Sequence, residues 1–495
     1  MSKASNTGPT VDPRRWLSLS VVILAAFMVV LDTFIVNVAL PSIARDLQAD
    51  FSELQLVVAG YVLGYALLLV TGGRMGDLYG RKTMFLAGIA GFVAASAWCG
   101  LSGTAEMLIA ARVAQGVFAA AMMPQVLSII QVMFPAEEKG KALGIYGAVL
   151  GLGAIAGQIA GGLLLKADWW GLGWRLVFLV NLPVGLFAFV FAVWMLRDSR
   201  SPQRTRMDIW GVVLLAAGLG LFIYPLAVGR EEGWPAWIFV SIAASVPVLV
   251  WFVRYENALL HRGASPLLPI TLFRNRSFRF GMLISLAFYS GNAALYLILS
   301  VFMQSGRGAE PLQSAYAFIP LAAGYFAASL LTPPLKKRWG NRVLLAGTVL
   351  MAAGYLLLIE AVGRLNGLGI GEMFIPLLLA GLGQGAVASP LIQTVLSGVQ
   401  GVHAGAASGV LSTFMQVAQA LGIAAIGTFY QSLLTHFGAV DGAGDASVST
   451  LQGSLAAIIA LSVLTYLLLA MLGRKPQRAN PESVAQAAGV GNAER

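Results

Sequence analysis

The sequence has few of the residues that a water-exposed surface or a catalytic site requires. Only 11% of its 495 residues are charged, whereas a soluble domain carries about 25%. A single cysteine, Cys99, excludes an intrachain disulfide and a thiolate metal site. The three histidines, His261, His403 and His436, show no nucleophile–base or metal-ligand spacing. These shortages exclude a soluble globular protein and argue against a membrane enzyme.

Apolar residues dominate instead, at 58% of the chain, with a mean hydropathy of +0.78. A helix needs about 20 apolar residues to cross a hydrocarbon core of about 30 Å. Segments of that length recur along the whole chain, so we predict an all-α integral membrane protein with fourteen spans. The first span is too long for a signal-peptide core and is expected to be retained. The predicted spans are 17–40, 51–71, 83–102, 105–125, 142–165, 174–196, 208–228, 235–253, 280–303, 312–332, 342–362, 373–398, 406–430 and 450–472.

The Pro-containing segment 235–253 is the weakest of these spans, and without it or a second weak span the count would be thirteen or twelve. Long basic segments at 197–207 and 254–279 bracket two spans, which suggests six helices, an inserted pair and six more. The predicted parts are a cytoplasmic tail 1–13, an N-terminal six-helix bundle 14–203, inserted helices seven and eight 204–260, a C-terminal six-helix bundle 261–475 and a cytoplasmic tail 476–495.

The distribution of the basic residues behind the net charge of +10 agrees with this arrangement of spans. Most Lys and Arg residues fall in segments that are cytoplasmic if the N-terminus is cytoplasmic, as positively charged loops stay inside. We therefore predict a multi-pass protein of the inner (cytoplasmic) membrane with both termini in the cytoplasm. The charge is an orientation signal, and no nucleic-acid partner is expected.

A carboxylic acid and a permanently charged arginine lie at similar depths in two predicted spans. Asp32 lies about 5 Å to the outer side of the first helix's centre, where a charged group costs at least about 2.5 kcal/mol to insert. Arg112 lies about 10 Å below the outer edge in the fourth helix and keeps its proton. We predict that Arg112 holds Asp32 ionised in one state and leaves it free to bind a proton in another. A static packing pair is the alternative.

The loop between the second and third spans, residues 73–82, reads GRMGDLYGRK. Gly80 permits a tight turn, and Asp77 can accept hydrogen bonds from amides at a helix N-terminus. Gly73 and Arg81 belong to the same loop motif. In the fifth span Gly153, Gly157 and Gly161 are four residues apart and form one stripe, against which a partner helix can pack closely and rock.

These strings, taken in order, resemble the major facilitator superfamily and specifically its fourteen-helix drug:proton antiporters. The resemblance covers roughly residues 15–473. One departure is Gln158, which stands where the antiporter motif usually has a helix-bending proline. The strings that carry the likeness are 31–41 (LDTFIVNVALP), the loop 73–82, 112–116 (RVAQG), the glycines of the fifth span, 174–185 (WRLVFLVNLPVG), 404–409 (AGAASG) and Thr413 with Gln416.

The resemblance implies two six-helix bundles around a central cavity, with alternating access by rocking of the bundles. Asp77 and Arg81 would latch the cytoplasmic side near Gly405. No cofactor is implied, because the proton gradient drives transport. The residues expected to face the cavity are Asn37, Tyr61, Gln115, Asn292, Tyr296 and Gln416.

The 16 Met, 25 Phe, 13 Tyr and 11 Trp suit an adaptable apolar cavity. Among other acids, Asp208 is expected to cap the seventh helix and Glu360 to lie near an outer end. We predict a proton-coupled multidrug efflux antiporter for lipophilic or cationic compounds, including antibiotics, with lipid and protons as partners and a periplasmic adaptor as a further candidate. A transporter dedicated to one metabolite, such as an amino acid or a siderophore, is the alternative, and a non-transporting membrane receptor or enzyme comes from a different class.

Overall fold

The computed structural model describes residues 13–199, 207–229, 232–262, 266–268, 270–364, 370–397, 399–400, 403–438 and 443–473. Apart from Pro13, the two predicted tails lie outside these residues, as does most of the basic segment 197–207.

The described chain contains fourteen helices long and apolar enough to cross a membrane, and no β-strand. This confirms the predicted number, including the doubtful eighth span. The helices are α1 (Arg15–Leu47), α2 (Phe51–Tyr79), α3 (Arg81–Gly100), α4 (Ala105–Met133), α5 (Ala136–Ala167), α6 (Gly173–Met195), α7 (Ile209–Val228), α8 (Ala236–His261), α9 (Arg276–Gly306), α10 (Leu312–Trp339), α11 (Arg342–Val362), α12 (Phe374–Leu396), α13 (Ala404–Gly438) and α14 (Ala446–Leu472).

Several helices extend past the apolar runs that predicted them. The first continues to Leu47 through Pro41, although the proline lacks the backbone N–H that would donate to the carbonyl oxygen of Asn37. The eighth continues to His261, eight residues beyond the predicted end. The predicted span ended at 253, where the basic segment 254–279 begins, so the helix is longer than its apolar run. The extension places Glu256 on a helix.

Side chains at the helix N-termini explain where several helices begin. Asp50 and Glu53 form a reciprocal capping box at the start of α2, with hydrogen bonds of 2.8 and 2.9 Å. Thr104 caps α4 by accepting from the amide of Met107. Asp208 accepts from the amide of Gly211 at 3.0 Å, which confirms it as the cap of α7.

Helix packing in the two halves follows one pattern. In the first half α1 packs on α5 and α6, α4 packs on α2 and α3, and α3 packs on α6. In the second half the same contacts recur eight helices later, between α9 and α13 or α14, α12 and α10 or α11, and α11 and α14. The fold is therefore two six-helix bundles. The inserted pair α7 and α8 packs on itself, and α7 contacts α2 and α13.

The two ends of the molecule differ in how the bundles meet. We call them the Gly80 end, where α2 turns into α3, and the Asp50 end, where α1 turns into α2. Gly80 has φ of 105°, a conformation open to glycine but rarely to other residues. The bundles contact each other through α2 with α13 and through α5 with α10 and α12.

Near the Gly80 end the backbones of the two bundles are in direct contact. A Cβ at Gly73 would overlap with the carbonyl oxygen of Gly405, and one at Gly144 would lie 2.6 Å from that of Ser329. The small residues let the two bundles touch through their main chains. The Gly80 end is therefore closed in this structure.

Candidate functional site

The two predicted charges form an ion pair inside the N-terminal bundle. Nη1 of Arg112, on α4, lies 2.6 Å from Oδ2 of Asp32, on α1. The side chains are 1% and 0% exposed. The pair therefore faces neither lipid nor open water.

Further polar side chains complete a network around the Asp32 carboxylate. Its Oδ1 accepts from Nε2 of Gln115 at 2.9 Å and from Nδ2 of Asn181 at 2.7 Å. Both amides also donate to the hydroxyl oxygen of Ser96, on α3, at 2.7 and 3.0 Å. Three donors converge on one carboxylate. Four helices, α1, α3, α4 and α6, thus meet at one charge.

Arg112 has its own set of contacts. Its Nε donates to the carbonyl oxygen of Val57 at 3.2 Å, and Nη1 also donates to Oε1 of Gln115 at 2.6 Å. The guanidinium lies 4.2 Å from the ring centroid of Tyr61 and 5.6 Å from that of Phe178, distances at which an aromatic face attracts a cation. Because these contacts come from α2 and α6 as well, moving Arg112 requires moving helices.

The structure places Tyr61 and Gln115 differently from the cavity positions expected of them. Both are buried inside the N-terminal bundle as parts of the ion-pair network. Gln115 is three residues from Arg112, so it shares the helix face that points at Asp32.

The other expected cavity residues are spread over three helices. Asn37 is exposed, and Asn292 is buried with its Oδ1 lacking a hydrogen-bond partner among the described residues. Tyr296 is half-buried and stacks on Phe318, with ring centroids 5.4 Å apart. The Oε1 of half-buried Gln416 accepts from Gln419 at 3.0 Å. The structure does not bring these four side chains into one hydrogen-bonded group.

A line of tyrosines, of which the sequence analysis selected only Tyr61, runs from the ion pair to the contact between the bundles. Tyr65 stacks beside Tyr61, with ring centroids 6.1 Å apart, and lies near Tyr146 of α5. Tyr146 lies near Tyr289 of α9 and Tyr325 of α10. The four-residue spacing of Tyr61 and Tyr65 was the one sequence signal for this line.

Asp77 joins the two bundles at the Gly80 end. Its Oδ1 and Oδ2 accept from the backbone amides of Gly405 and Ala406, at 3.1 and 3.0 Å, and Arg81 donates to Oδ1 at 2.7 Å. A carboxylate at the first amides of α13 is stabilised by the partial positive charge of a helix N-terminus. We call Asp77, Arg81, Gly405 and Ala406 the latch.

His403 directly precedes α13 beside the latch. Burial lowers the pKa of His403 below its ordinary value of 6.5, and the charge of Arg74 lowers it further, against an opposing effect of Asp77. His403 is therefore neutral at neutral pH, and protonation below pH 6.5 disfavours this arrangement.

The glycine stripe packs on the helix that carries Asp32. A Cβ at Gly157 would lie 2.6 Å from the carbonyl oxygen of Leu31, and one at Gly161 would lie 3.0 Å from that of Ile35. A Cβ at Gly153 would lie 3.1 Å from the side chain of Val30. Helix α5 is unbroken through Gln158. The stripe thus fixes α1 on both sides of Asp32.

Comparison with known proteins agrees with this architecture. The family model described as Major Facilitator Superfamily matches residues 22–423. A probable actinorhodin transporter of Streptomyces coelicolor is 40% identical over 86% of this chain and 74% of its own length. A puromycin resistance protein of Streptomyces alboniger is 35% identical over 95% of this chain and 93% of its own.

The human organic anion transporter MFSD10 has a similar fold, with a TM-score of 0.64 at 16% identity over 92% of this chain and 100% of that protein. The paired six-helix bundles and the sequence match together define a membrane transporter fold. The chain belongs to the Major Facilitator Superfamily.

Proposed function

We propose that this protein is a proton-coupled multidrug efflux antiporter of the inner membrane, with the Gly80 end in the cytoplasm. The observation that carries the proposal is the fully buried ion pair between Asp32 and Arg112. A buried charge pair is weak as a stabilising device, and an ionisable group in a membrane helix is functional by default. Relatives that are named for antibiotic transport or resistance support the export of such compounds.

The proposed coupling uses two alternative partners for one carboxylate. With Arg112 on Oδ2, the carboxylate stays ionised. When helix movements inside the N-terminal bundle, which accompany rocking of the bundles, separate Arg112 from Asp32, Asp32 becomes a buried charge without a counterion, and binding a proton removes that penalty. Exchange between the ion pair and the protonated acid moves one proton for each cycle of the bundles. The proton gradient then drives the cycle without a cofactor.

The proposed substrate site lies between the bundles, among the tyrosines and the aromatic group formed by Phe34, Tyr296 and Phe318. Aromatic rings accept lipophilic compounds with little directional demand and attract cations through their faces. Lipophilic and cationic drugs both fit such a surface. The latch would lock the two bundles together, and the glycine stripe would set the packing of α5 against α1 inside the N-terminal bundle.

The test is dye efflux from proteoliposomes with an imposed pH gradient. The Asp32→Asn variant should lose gradient-driven efflux of several unrelated dyes. Asp46→Asn is a matched control, because Asp46 lies on the same helix and pairs with Arg175 at an exposed position. It should export normally. Full gradient-driven efflux in Asp32→Asn would disprove the coupling role.

Export of one natural product is the second candidate, because relatives are named for single compounds such as actinorhodin. The same assay separates the two. Efflux of several chemically unrelated dyes supports a multidrug exporter, and efflux restricted to one class of compound supports a dedicated one.

A further inference from the structure

A second pair of acids lies in the inserted helices, at the Gly80 end. Asp208 caps α7, and Glu256 lies near the C-terminal end of α8. Glu256 is 0% exposed. The two carboxyl groups are close enough to hydrogen-bond to each other, and both converge on Gly211, where a Cβ would overlap with an oxygen of each.

Two of the four carboxyl oxygens have ordinary donors. Oε2 of Glu256 accepts from the backbone amide of Leu268 at 2.8 Å. Oδ1 of Asp208 accepts from the amide of Gly211 at 3.0 Å and from the hydroxyl of Tyr255 at 3.1 Å. The other two, Oε1 of Glu256 and Oδ2 of Asp208, are buried and have no donor among the described residues.

These two oxygens need a proton between them. An ionised carboxylate only accepts hydrogen bonds, so two of them cannot bond to each other. When like charges share a site, one carboxyl group retains its proton and donates to the other. A hard metal cation fits less well, because such ions take about six oxygen ligands and this site offers two free ones.

We propose that Asp208 and Glu256 form a second proton-binding site, which holds one shared proton while the Gly80 end is closed. Proton binding by this pair in the resting protein does not depend on whether Asp32 drives transport.

The surroundings of the pair connect it to the latch. Arg74 of α2 interacts electrostatically with both Glu256 and Asp77, and His403 interacts with Arg74. Tyr255 is the other titratable neighbour, and Arg262, near the pair, is the other basic one. Loss of the shared proton leaves both carboxyl groups negative, and the negative charge of Glu256 lies near Arg74. Arg74 is then attracted toward the pair and away from Asp77, which weakens the closed state.

Infrared spectroscopy of the purified full-length protein tests the site directly. At neutral pH the wild type should show the carbonyl band of a protonated, buried carboxylic acid. The band should disappear in Glu256→Gln and in Asp208→Asn, because the introduced amide donates the hydrogen bond in place of the proton. It should persist in Asp32→Asn and in Glu360→Gln, which changes an exposed acid paired with Arg364.

The pH dependence of thermal stability gives a second measurement. Wild-type melting temperature should fall as the pH rises and the shared proton is lost, and Glu256→Gln should flatten that fall. Asp208→Asn introduces a side chain that also caps helices well, so this variant can be measured if Glu256→Gln does not fold.

Absence of the band at neutral pH, or its persistence in both variants, would overturn the proposal. A rise in wild-type melting temperature on adding Na⁺ or Ca²⁺ that both variants abolish would assign the site to a metal cation instead. Neither measurement involves transport, so a negative result leaves the proposed function standing.

Discussion

Removing the charge of Asp32 should destabilise the whole N-terminal bundle. In Asp32→Asn the guanidinium of Arg112, 1% exposed, would keep its positive charge without a counterion. The new side chain would also present an amide to Gln115 and Asn181, which donate to the carboxylate in the wild type. Breaking one partner out of a buried ion pair costs about 3–5 kcal/mol. We expect a loss of this size in the free energy of unfolding.

A double-mutant cycle isolates the pair. Arg112→Gln alone leaves the Asp32 carboxylate buried with only neutral donors, so it should also lose about 3–5 kcal/mol. In the double variant Asp32→Asn/Arg112→Gln no buried charge remains. Its loss should be smaller than the sum of the two single losses by at least about 2 kcal/mol, because neighbouring groups in one network are not additive.

The assay is denaturant unfolding of the purified protein in detergent micelles, followed by tryptophan fluorescence, with the slope checked for each variant. Asp46→Asn is the control, and since its ion pair is about half exposed it should lose less than about 1 kcal/mol. Gradient-driven efflux should be lost in both single variants and in the double variant. Additive losses in the cycle would refute the interpretation that Asp32 and Arg112 act as one unit.

Two further predictions concern the glycine stripe and His403. Gly157→Val should abolish efflux and cost about 1–3 kcal/mol, because its side chain would be forced against the backbone of α1; Gly103→Val, at a position with open space, is the control for both measurements. Lowering the pH below 6.5 should open the Gly80 end, seen as faster hydrogen exchange in the first turn of α13, because protonated His403 is disfavoured in the closed state. His403→Gln should remove this response and exposed His436→Gln should keep it, and a response unchanged in His403→Gln would contradict the assignment.

Counting depth along helices was sufficient to predict the ion pair from sequence. Asp32 and Arg112 were placed at similar depths, and the structure brings them to 2.6 Å. The same count would have found Asn181, which lies about 12 Å along α6 from Gly173, against about 10 Å for Arg112 along α4. The sequence analysis did not identify Asn181, because it used the segment 174–185 only as a family motif and did not assess the polarity and depth of each side chain in it.

The direction in which each helix face points was harder to predict. Tyr61 and Gln115 were assigned to the cavity, although the prediction that Arg112 meets Asp32 already fixed the orientation of Gln115, three residues away. For Tyr61 no such constraint existed, since nothing in the sequence sets the rotation of α2. Rotation about the helix axis depends on packing between helices distant in the chain, and composition and periodicity do not determine it for helices that are apolar all round.

Glu256 shows a different limit. The span predicted from the apolar run ends at 253, where polar residues begin, yet the helix continues to His261 and includes Glu256. The burial of Glu256 depends on residues 266–268, which fold back over it, and on Gly211, which has no side chain to occupy the same space. Each of these is a long-range contact, so the acid could be recognised as buried only from the folded chain.

The location of the Asp32 network constrains how a proton and a cargo can be coupled. Asp32 is enclosed by α1, α3, α4 and α6, whereas a compound between the bundles would meet Tyr65, Tyr146, Tyr289 and Tyr325. Proton and cargo would therefore not compete for the same atoms. We infer that coupling passes through helix positions, because Arg112 touches Tyr61 and Tyr61 stacks beside Tyr65. A change in the ion pair would then shift the proposed aromatic substrate surface, which would let one carboxyl group serve cargoes of different charge.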